Sequence, residues 1–216
     1  MIDRDEDVTV QVGSVQLSGH LTVPSPLRGV VVFAHGSGSS SRSPRNRYVA
    51  RALNQFGLGT LLFDLLTPGE ELDRANVFDI DLLSERLIGA TRWVRERSEA
   101  KNAPLGYFGA STGAAAALGA AADPETEVAA VVSRGGRADL AGARLAAVRA
   151  PTLLIVGGDD QVVLEMNRRA QAALTCENRL EIVQGATHLF DEAGALETVA
   201  ALAGHWFSDH LAPTIT

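Results

Sequence analysis

The chain opens with an alternation of apolar and polar residues, which is typical of strands that expose one face to water. The alternation covers residues 8–23, and Gly13-Ser14 interrupts it. Two alternating runs joined by a two-residue Gly-Ser turn are a hairpin signal. The sequence therefore predicts antiparallel strands at the start of the domain, preceded by a flexible acidic tail over residues 1–7.

Beyond residue 23 the apolar residues form short continuous runs, the pattern of strands buried on both faces. Two helices are predicted, over residues 79–97 and 193–211, because apolar residues recur there at i, i+3 and i+4. Strands that alternate with helices form a parallel sheet covered by helices. We therefore predict one α/β domain over residues 1–216. Its further strands are expected at residues 30–33, 59–63, 105–108, 128–132, 152–156 and 180–183.

Composition excludes several classes of protein. The formal net charge is −7, whereas a nucleic-acid-binding face would be basic. No apolar run approaches the roughly 18 residues of a membrane span, and the acidic N-terminus has no apolar core of a signal peptide, so we expect a cytoplasmic protein. Cys176, the single cysteine, is predicted to lie on a helix and excludes an intrachain disulfide. No motif indicates a metal or a cofactor.

Residues 109–113 are the strongest candidate for chemistry. They read Gly-Ala-Ser-Thr-Gly and lie between a predicted strand and an alanine-rich run. A serine in this strand-to-helix setting is typical of a nucleophile elbow, in which small neighbours allow a sharp turn. A glycine-rich turn without catalytic function is the alternative. Ligands of parallel α/β sheets bind beyond the carboxyl ends of the strands, where Ser111 is predicted to lie.

A serine nucleophile requires a base and an acid that orients the base. Of the five histidines, His188 alone lies in a loop directly after a late strand. In chains with this elbow the acid follows the serine and precedes the histidine. Asp160, after the strand at residues 152–156, fits best. Asp159 and Asp139 remain alternatives, although Asp139 is also explained as a helix N-cap.

Two backbone N–H groups are candidates for stabilising an oxyanion. One belongs to Thr112, the residue after the predicted nucleophile. The other belongs to Ser37, in the glycine-rich segment His35-Gly36-Ser37-Gly38 that follows the third strand. The alternative for this segment is a flexible turn. His35 and Gly36 are further candidates for contacting a substrate.

These segments together resemble the α/β-hydrolase superfamily and, within it, the small dienelactone-hydrolase-like group. The resemblance rests on residues 35–38, 109–113, 157–163 and 185–190 and covers residues 8–211. It implies an eight-stranded, mostly parallel sheet with an antiparallel second strand and helices on both faces. Dienelactone hydrolases proper use a cysteine nucleophile, whereas this chain has Ser111. The chain also resembles hydrolase segments fused to phosphoribosyltransferases, but no phosphate-cradling loop supports transferase chemistry.

The resemblance implies a serine hydrolase that cleaves an ester, thioester or lactone of a small molecule through an acyl-enzyme. Acyl transfer to an acceptor other than water and a non-catalytic binding protein are the alternatives. Only about 18 residues separate Val132 from Pro151, which leaves no room for a cap domain and predicts an open site. Arg42, Arg45 and Arg134 flank the site, either to bind an anionic substrate or as surface charge. The sequence leaves monomer and homodimer open.

Overall fold

The computed structural model describes residues 1–98 and 100–211, so Glu99 and residues 212–216 of the predicted domain lie outside the described residues. The eight strands form one sheet in the order β1-β2-β4-β3-β5-β6-β7-β8. β1 and β2 pair antiparallel, β2 pairs antiparallel with β4, and the remaining pairs are parallel. This is the predicted sheet. The strands are β1 Ile2–Val12, β2 Val15–Pro24, β3 Gly29–Ala34, β4 Leu58–Phe63, β5 Leu105–Ala110, β6 Ala130–Arg134, β7 Thr152–Gly157 and β8 Asn178–Val183.

The predicted acidic tail is wrong, because β1 begins at Ile2 and pairs with β2 along its length. The predicted turn at Gly13-Ser14 joins the two strands. His20 on β2 bonds Asp5 and Asp7 on β1, each at 2.8 Å. Residues 2–7 of β1 are exposed, so they carry no apolar alternation that would mark them as a strand.

Within the described residues, six α-helices and several 3₁₀ segments lie between and after the strands. α3 and α6 are the two helices predicted from apolar spacing, and they begin and end within two residues of the expected positions. The helices are α1 Pro44–Gln55, α2 Arg74–Phe78, α3 Ile80–Arg95, α4 Thr112–Ala121, α5 Gln161–Ala173 and α6 Ala195–His210, and the 3₁₀ segments are Glu70–Leu72, Pro124–Thr126 and Ala138–Ala147.

The helices cover both faces of the sheet, as β3 shows. Val30 and Val32 pack in a cluster with Leu87 of α3 and with the alanines of α4. The alternate residues Val31 and Phe33 pack with helices α1 and α6. Successive side chains of a strand point to opposite faces, so the two clusters lie on opposite sides of the sheet. Because helices cover both faces of the sheet, successive residues of its central strands are buried, and this explains the continuous apolar runs.

The carboxyl ends of the parallel strands present the candidate functional residues in a fixed order. Across the sheet, the loops after β4, β3, β5, β6, β7 and β8 follow one another. The connection between β6 and β7 is a 3₁₀ segment with a bend at Gly142 and contains no cap domain. The connection between β4 and α3, which contains α2, instead lines the cleft at the carboxyl ends of the strands.

Candidate active site

Ser111 stands at the turn between β5 and α4 with φ 52° and ψ −123°. A non-glycine residue in this region carries strain of about 1–3 kcal/mol, which the surroundings must offset. The loop after β6 holds the turn from both sides. Ser111 N–H donates to Arg134 O at 3.3 Å, and Arg137 N–H donates to Ser111 O at 2.9 Å. The sequence-predicted elbow is therefore formed and pinned by hydrogen bonds.

The two glycines of the elbow are needed for close packing. A Cβ at Gly113 would lie 2.1 Å from Ala34 O, and one at Gly109 would lie 2.4 Å from Ala114 Cα. Real Cβ atoms do not approach so closely. The small residues therefore let α4 start directly against the ends of β3 and β5. All ten residues of α4 are buried, which accounts for the run of alanines.

Asp160 and His188 lie together, as the sequence predicts. Asp160 Oδ2 is 2.7 Å from His188 Nδ1, while Oδ1 accepts a 3.4 Å hydrogen bond from Val163 N–H at the start of α5. The Asp160 side chain is 14% exposed and that of His188 is 39% exposed. The carboxylate is thus fixed by a helix cap and directed at the imidazole, whose far side remains accessible.

The two alternative acids are engaged elsewhere. Asp139 accepts two hydrogen bonds from Arg137, both at 2.9 Å. Asp159 is exposed, and its backbone N–H donates to Ala186 O. Among the described residues, Asp160 is the carboxylate that contacts His188.

The loop carrying His188 packs tightly on the end of β7. A Cβ at Gly157 would lie 2.3 Å from Ala186 O and 2.7 Å from Thr187 O. Phe190 has a positive φ of 56° and is buried in the cluster below α6. A bulky residue in this conformation is held there by its packing. Gly157 and Phe190 therefore fix the position from which His188 projects.

Ser111 and His188 line one cleft of about 820 Å³. In the described part of the chain no hydrogen bond joins Ser111 Oγ to His188, although a serine nucleophile and its base are expected to lie within hydrogen-bond reach. Catalytic hydrogen bonds are often long in substrate-free enzymes and shorten when substrate binds. A larger groove of about 1120 Å³ lies beside β1, β2 and α1, but neither Ser111 nor His188 lines it.

His35 lines the cleft but has both ring nitrogens engaged. Nε2 accepts a 3.0 Å hydrogen bond from Leu65 N–H, which leaves the proton on Nδ1, and Nδ1–H donates to Gly36 O at 3.0 Å. The same carbonyl accepts from Ser39 N–H at 3.2 Å. These bonds tie the segment after β3 to the segment after β4. They give His35 a structural role in the loop.

The backbone N–H of Ser37 already has an acceptor. It donates to Thr112 Oγ1 at 2.8 Å. The N–H of Thr112 itself belongs to the first turn of α4, where backbone N–H groups have no partner within the helix. The two predicted oxyanion donors are therefore close together, but the Ser37 N–H is occupied by a side chain that sequence reasoning did not consider.

Arg134 is buried at the end of β6 and lines the cleft. Burial, reinforced by the nearby charge of Arg45, lowers its pKa to about 10, so it is still a cation at neutral pH. Its Cζ lies 6.0 Å from the Phe190 ring centroid. In the part of the chain that the structure describes, Arg134 Nε and Nη1 are buried and have no hydrogen-bond partner.

The other predicted arginines differ from Arg134. Arg45 is at the start of α1 and pairs with Asp191 at 3.1 Å, while Arg42 is exposed at the mouth of the cleft. Arg47, in the same stretch of sequence, lies on α1 and lines the groove beside β2. The arginines therefore do not form a single rim, and among the described residues that line the cleft Arg134 is the one buried cation.

Sequence reasoning missed the apolar side of the cleft. Its residues come from the segment after β4 and from α3. Leu65 and Leu66 come two and three residues after the end of the predicted strand at residues 59–63, and this position was the available signal. The set is Leu65, Leu66, Val77 and Leu83.

Further expectations concern metals, membranes and the cysteine. Within residues 1–98 and 100–211, no cluster of three or more potential ligands could hold a metal ion. No helix in those ranges has the length and apolar character needed to cross a bilayer. Cys176 lies between α5 and β8, so its predicted helical position is wrong.

Comparisons with known proteins extend this description. No protein-family model matches the chain. A Mycobacterium tuberculosis protein named "Putative phosphoribosyl transferase" is 64% identical over 208 residues, which are 96% of this chain and 47% of that protein. The chain thus spans about half the length of this curated relative. The crystal structure of dienelactone hydrolase from Anabaena variabilis is 54% identical, with a TM-score of 0.93, over 96% of this chain and 98% of the other.

More distant structures share the fold. Est1E from Butyrivibrio proteoclasticus has a TM-score of 0.79 at 15% identity and covers 94% of this chain and 98% of its own. The fold and these likenesses define a protein with the α/β-hydrolase fold. The 54% identity to the Anabaena protein over nearly the whole of both chains identifies the family within this fold. The chain belongs to the dienelactone hydrolase family.

Proposed function

We propose that the protein is a serine hydrolase that cleaves an ester, thioester or lactone of a small molecule through an acyl-enzyme. The observation that carries the proposal is the 2.7 Å bond from His188 to Asp160 in a cleft that also contains the strained Ser111. A nucleophile, a base and an orienting acid at the ends of three strands are what acyl transfer requires.

Acylation begins when Ser111 Oγ attacks the carbonyl carbon and its proton passes to His188 Nε2. The Oγ–C bond forms, and the π electron pair moves onto the carbonyl oxygen. When this pair returns, the bond to the leaving alkoxide or thiolate breaks and the leaving group takes the proton from His188. Asp160 keeps Nδ1 protonated and orients the ring, so Nε2 is the basic nitrogen.

Deacylation repeats these steps with water. Water gives a proton to His188 Nε2 and attacks the acyl carbon, and collapse of the second tetrahedral intermediate breaks the Oγ–C bond. Ser111 Oγ recovers the proton from His188, and the acid product leaves. An alcohol or amine in place of water would give acyl transfer, and product analysis with added acceptors distinguishes the two.

We propose further that the substrate carries an anionic group that binds Arg134. Burying a cation with incomplete hydrogen bonding costs free energy, so the two buried guanidinium nitrogens without a hydrogen-bond partner, Nε and Nη1, are expected to be offset by a ligand. Asp191, the carboxylate whose charge raises the pKa of Arg134, is paired with Arg45 at 3.1 Å. Arg134 directly follows Ser133 on β6 and lies beside Ala110 on β5, so the anion would bind next to the nucleophile.

The test of the hydrolase proposal is labelling with a serine-directed fluorophosphonate, followed by turnover of a panel of esters and thioesters. Native protein is expected to be labelled at Ser111, and Ser111→Ala to be neither labelled nor active while melting at a similar temperature. Ser39→Ala, another serine that lines the cleft, should still be labelled at Ser111. If the native protein is not labelled and hydrolyses none of the panel, the proposal is wrong and a non-catalytic binding role is favoured.

A further inference from the structure

The hydroxyl of Thr112 occupies a position in the cleft that the hydrolase proposal leaves unexplained. Thr112 is the first residue of α4, directly after Ser111, and is 4% exposed. Its Oγ1 accepts the 2.8 Å hydrogen bond from Ser37 N–H. The amide that sequence reasoning assigned to the oxyanion is therefore directed at a side chain.

The loop that carries Ser37 is held in this arrangement. Gly36 O accepts hydrogen bonds from His35 Nδ1–H and from Ser39 N–H, which lie two residues before and two residues after Ser37. His35 Nε2 in turn accepts from Leu65 N–H. Since these bonds fix the backbone on both sides of Ser37, its N–H is expected to stay directed at Thr112 when a substrate enters.

A hydroxyl has one proton to donate and two lone pairs that accept. The bond from Ser37 uses one lone pair of Thr112 Oγ1. Among the hydrogen bonds of the described residues, none has the Thr112 hydroxyl as donor, so its proton is available. Accepting a hydrogen bond polarises the hydroxyl and strengthens it as a donor.

We infer that the Thr112 hydroxyl donates to the oxyanion of the tetrahedral intermediate, beside the backbone N–H of the same residue. Ser37 N–H is then a positioning group that orients and polarises the hydroxyl. No covalent bond to Thr112 forms or breaks, and the same donors serve acylation and deacylation. This inference rests on the proposed function, because it assigns donors to its intermediate.

The alternative is that Thr112 Oγ1 only accepts the Ser37 N–H at rest and releases it to the oxyanion. The two possibilities predict opposite effects of removing the hydroxyl. If the hydroxyl is the donor, its loss weakens binding of the transition state. If it merely occupies the Ser37 N–H, its loss frees that donor and leaves the rate unchanged or higher.

The experiment compares Thr112→Val, Thr112→Ser and native protein with p-nitrophenyl acetate and with an aryl trifluoromethyl ketone, which forms a hemiketal oxyanion on the serine. Thr112→Val is expected to lower kcat by on the order of 10²-fold with KM changed by less than about 3-fold. It should weaken inhibition by the ketone by a similar factor. Thr112→Ser, which keeps the hydroxyl, should remain within about 5-fold of native on both measurements.

Thr175→Val is the matched control, because Thr175 is exposed and its hydroxyl bonds Ala146 O outside the cleft. Thr112→Ala provides a second variant if the valine does not fold, and the same loss of kcat is expected. A Thr112→Val or Thr112→Ala protein that folds, is labelled at Ser111 and turns over as fast as native would overturn this inference alone. A native protein without labelling or turnover would overturn it together with the hydrolase proposal.

Discussion

Asp160 uses its two carboxylate oxygens for different partners: Oδ2 bonds His188 Nδ1 at 2.7 Å, and Oδ1 caps helix α5 through Val163 N–H at 3.4 Å. If Asp160 orients the base as proposed, the same residue serves the reaction and starts helix α5. Catalysis and stability can therefore be separated by choosing which oxygen to remove.

Asp160→Asn should keep the cap, since asparagine is as good an N-cap as aspartate. Its amide would favour the wrong tautomer of His188, and kcat should fall by about 10³- to 10⁴-fold. Asp160→Ala should lose a similar amount of activity and also about 0.5–2 kcal/mol of unfolding free energy. Ester turnover and urea unfolding of both variants check this. An Asp160→Asn protein with native kcat would exclude Asp160 as the orienting acid.

Arg134→Gln should discriminate between charged and neutral esters. A hydrogen bond to a charged group contributes about 1.5–3 kcal/mol, so kcat/KM for the mono-p-nitrophenyl ester of succinate should fall at least 10-fold. The neutral butyrate ester should change by less than about 3-fold. Because the variant removes a buried charge with two nitrogens that lack hydrogen-bond partners, its unfolding free energy should stay equal or rise.

Arg149→Gln controls for the change in net charge, since Arg149 is exposed and does not line the cleft. It should leave both esters unaffected. Equal losses on the two esters in Arg134→Gln would show that Arg134 supports the fold of the site and does not bind an anion.

The cluster formed by His20, Asp5 and Asp7, called the His20 cluster below, should make the stability of the protein depend on pH. Burial alone would lower the pKa of His20, but hydrogen bonds to Asp7 and Asp5 outweigh burial and raise it above 6.5. The bonds to His20 lower the pKa of Asp5 and Asp7 below 3.8. The contribution of His20 to the stability of the folded protein is therefore complete below pH 6.5. It is lost as the pH rises through the pKa of His20 in the folded state. The contribution of Asp5 and Asp7 to stability is present above pH 3.8. It is lost as the pH falls through the lowered pKa values of these two aspartates.

Urea unfolding at about pH 5.5 and pH 8 provides the measurement. Between these two pH values the unfolding free energy of the native protein should fall by more than that of His20→Gln, since glutamine does not titrate. Identical pH dependence in both proteins would mean that the cluster does not stabilise β1. Activity should be affected little, because His20 lies outside the active-site cleft.

Gly157→Ala should disturb both the fold and the histidine loop. The added Cβ would lie 2.3 Å from Ala186 O, and overpacking of this kind costs about 1–3 kcal/mol. If the loop moves to relieve the contact, His188 moves with it and kcat falls. Gly69→Ala is the control, since a Cβ there meets nothing within 4 Å. A Gly157→Ala protein with native stability and kcat would show that the loop adjusts freely.

Much of the fold could be predicted because buried strands and amphipathic helices leave continuous or periodic apolar patterns. The first half of β1 could not be predicted in this way. Its residues 2–7 face water, so their strand conformation depends on pairing with β2 and on the bonds from Asp5 and Asp7 to His20. Such pairing becomes visible only when the two strands are placed side by side.

The sequence identified the elbow, Asp160 and His188 because each has a motif or a position at the end of a strand. It favoured Arg134 over Arg42 and Arg45 because Arg134 directly follows a predicted strand. It could not show that Arg134 is buried with two nitrogens lacking partners, since burial and hydrogen bonding depend on how neighbouring strands pack. The Ser37–Thr112 bond was equally hidden, because it joins a backbone N–H to a side chain 75 residues away. Contacts of this kind have no local signature.

The order of the strands has a consequence for the handedness of a substrate. Ser111 follows β5, the Leu65–Leu66 segment follows β4 on one side, and Arg134 ends β6 on the other. A substrate that reacts with Ser111, packs against the Leu65–Leu66 segment and binds Arg134 would be held at three separate points of the cleft. Two mirror-image esters bearing both an apolar and an anionic substituent cannot satisfy all three equally, so the cleft should resolve a racemate.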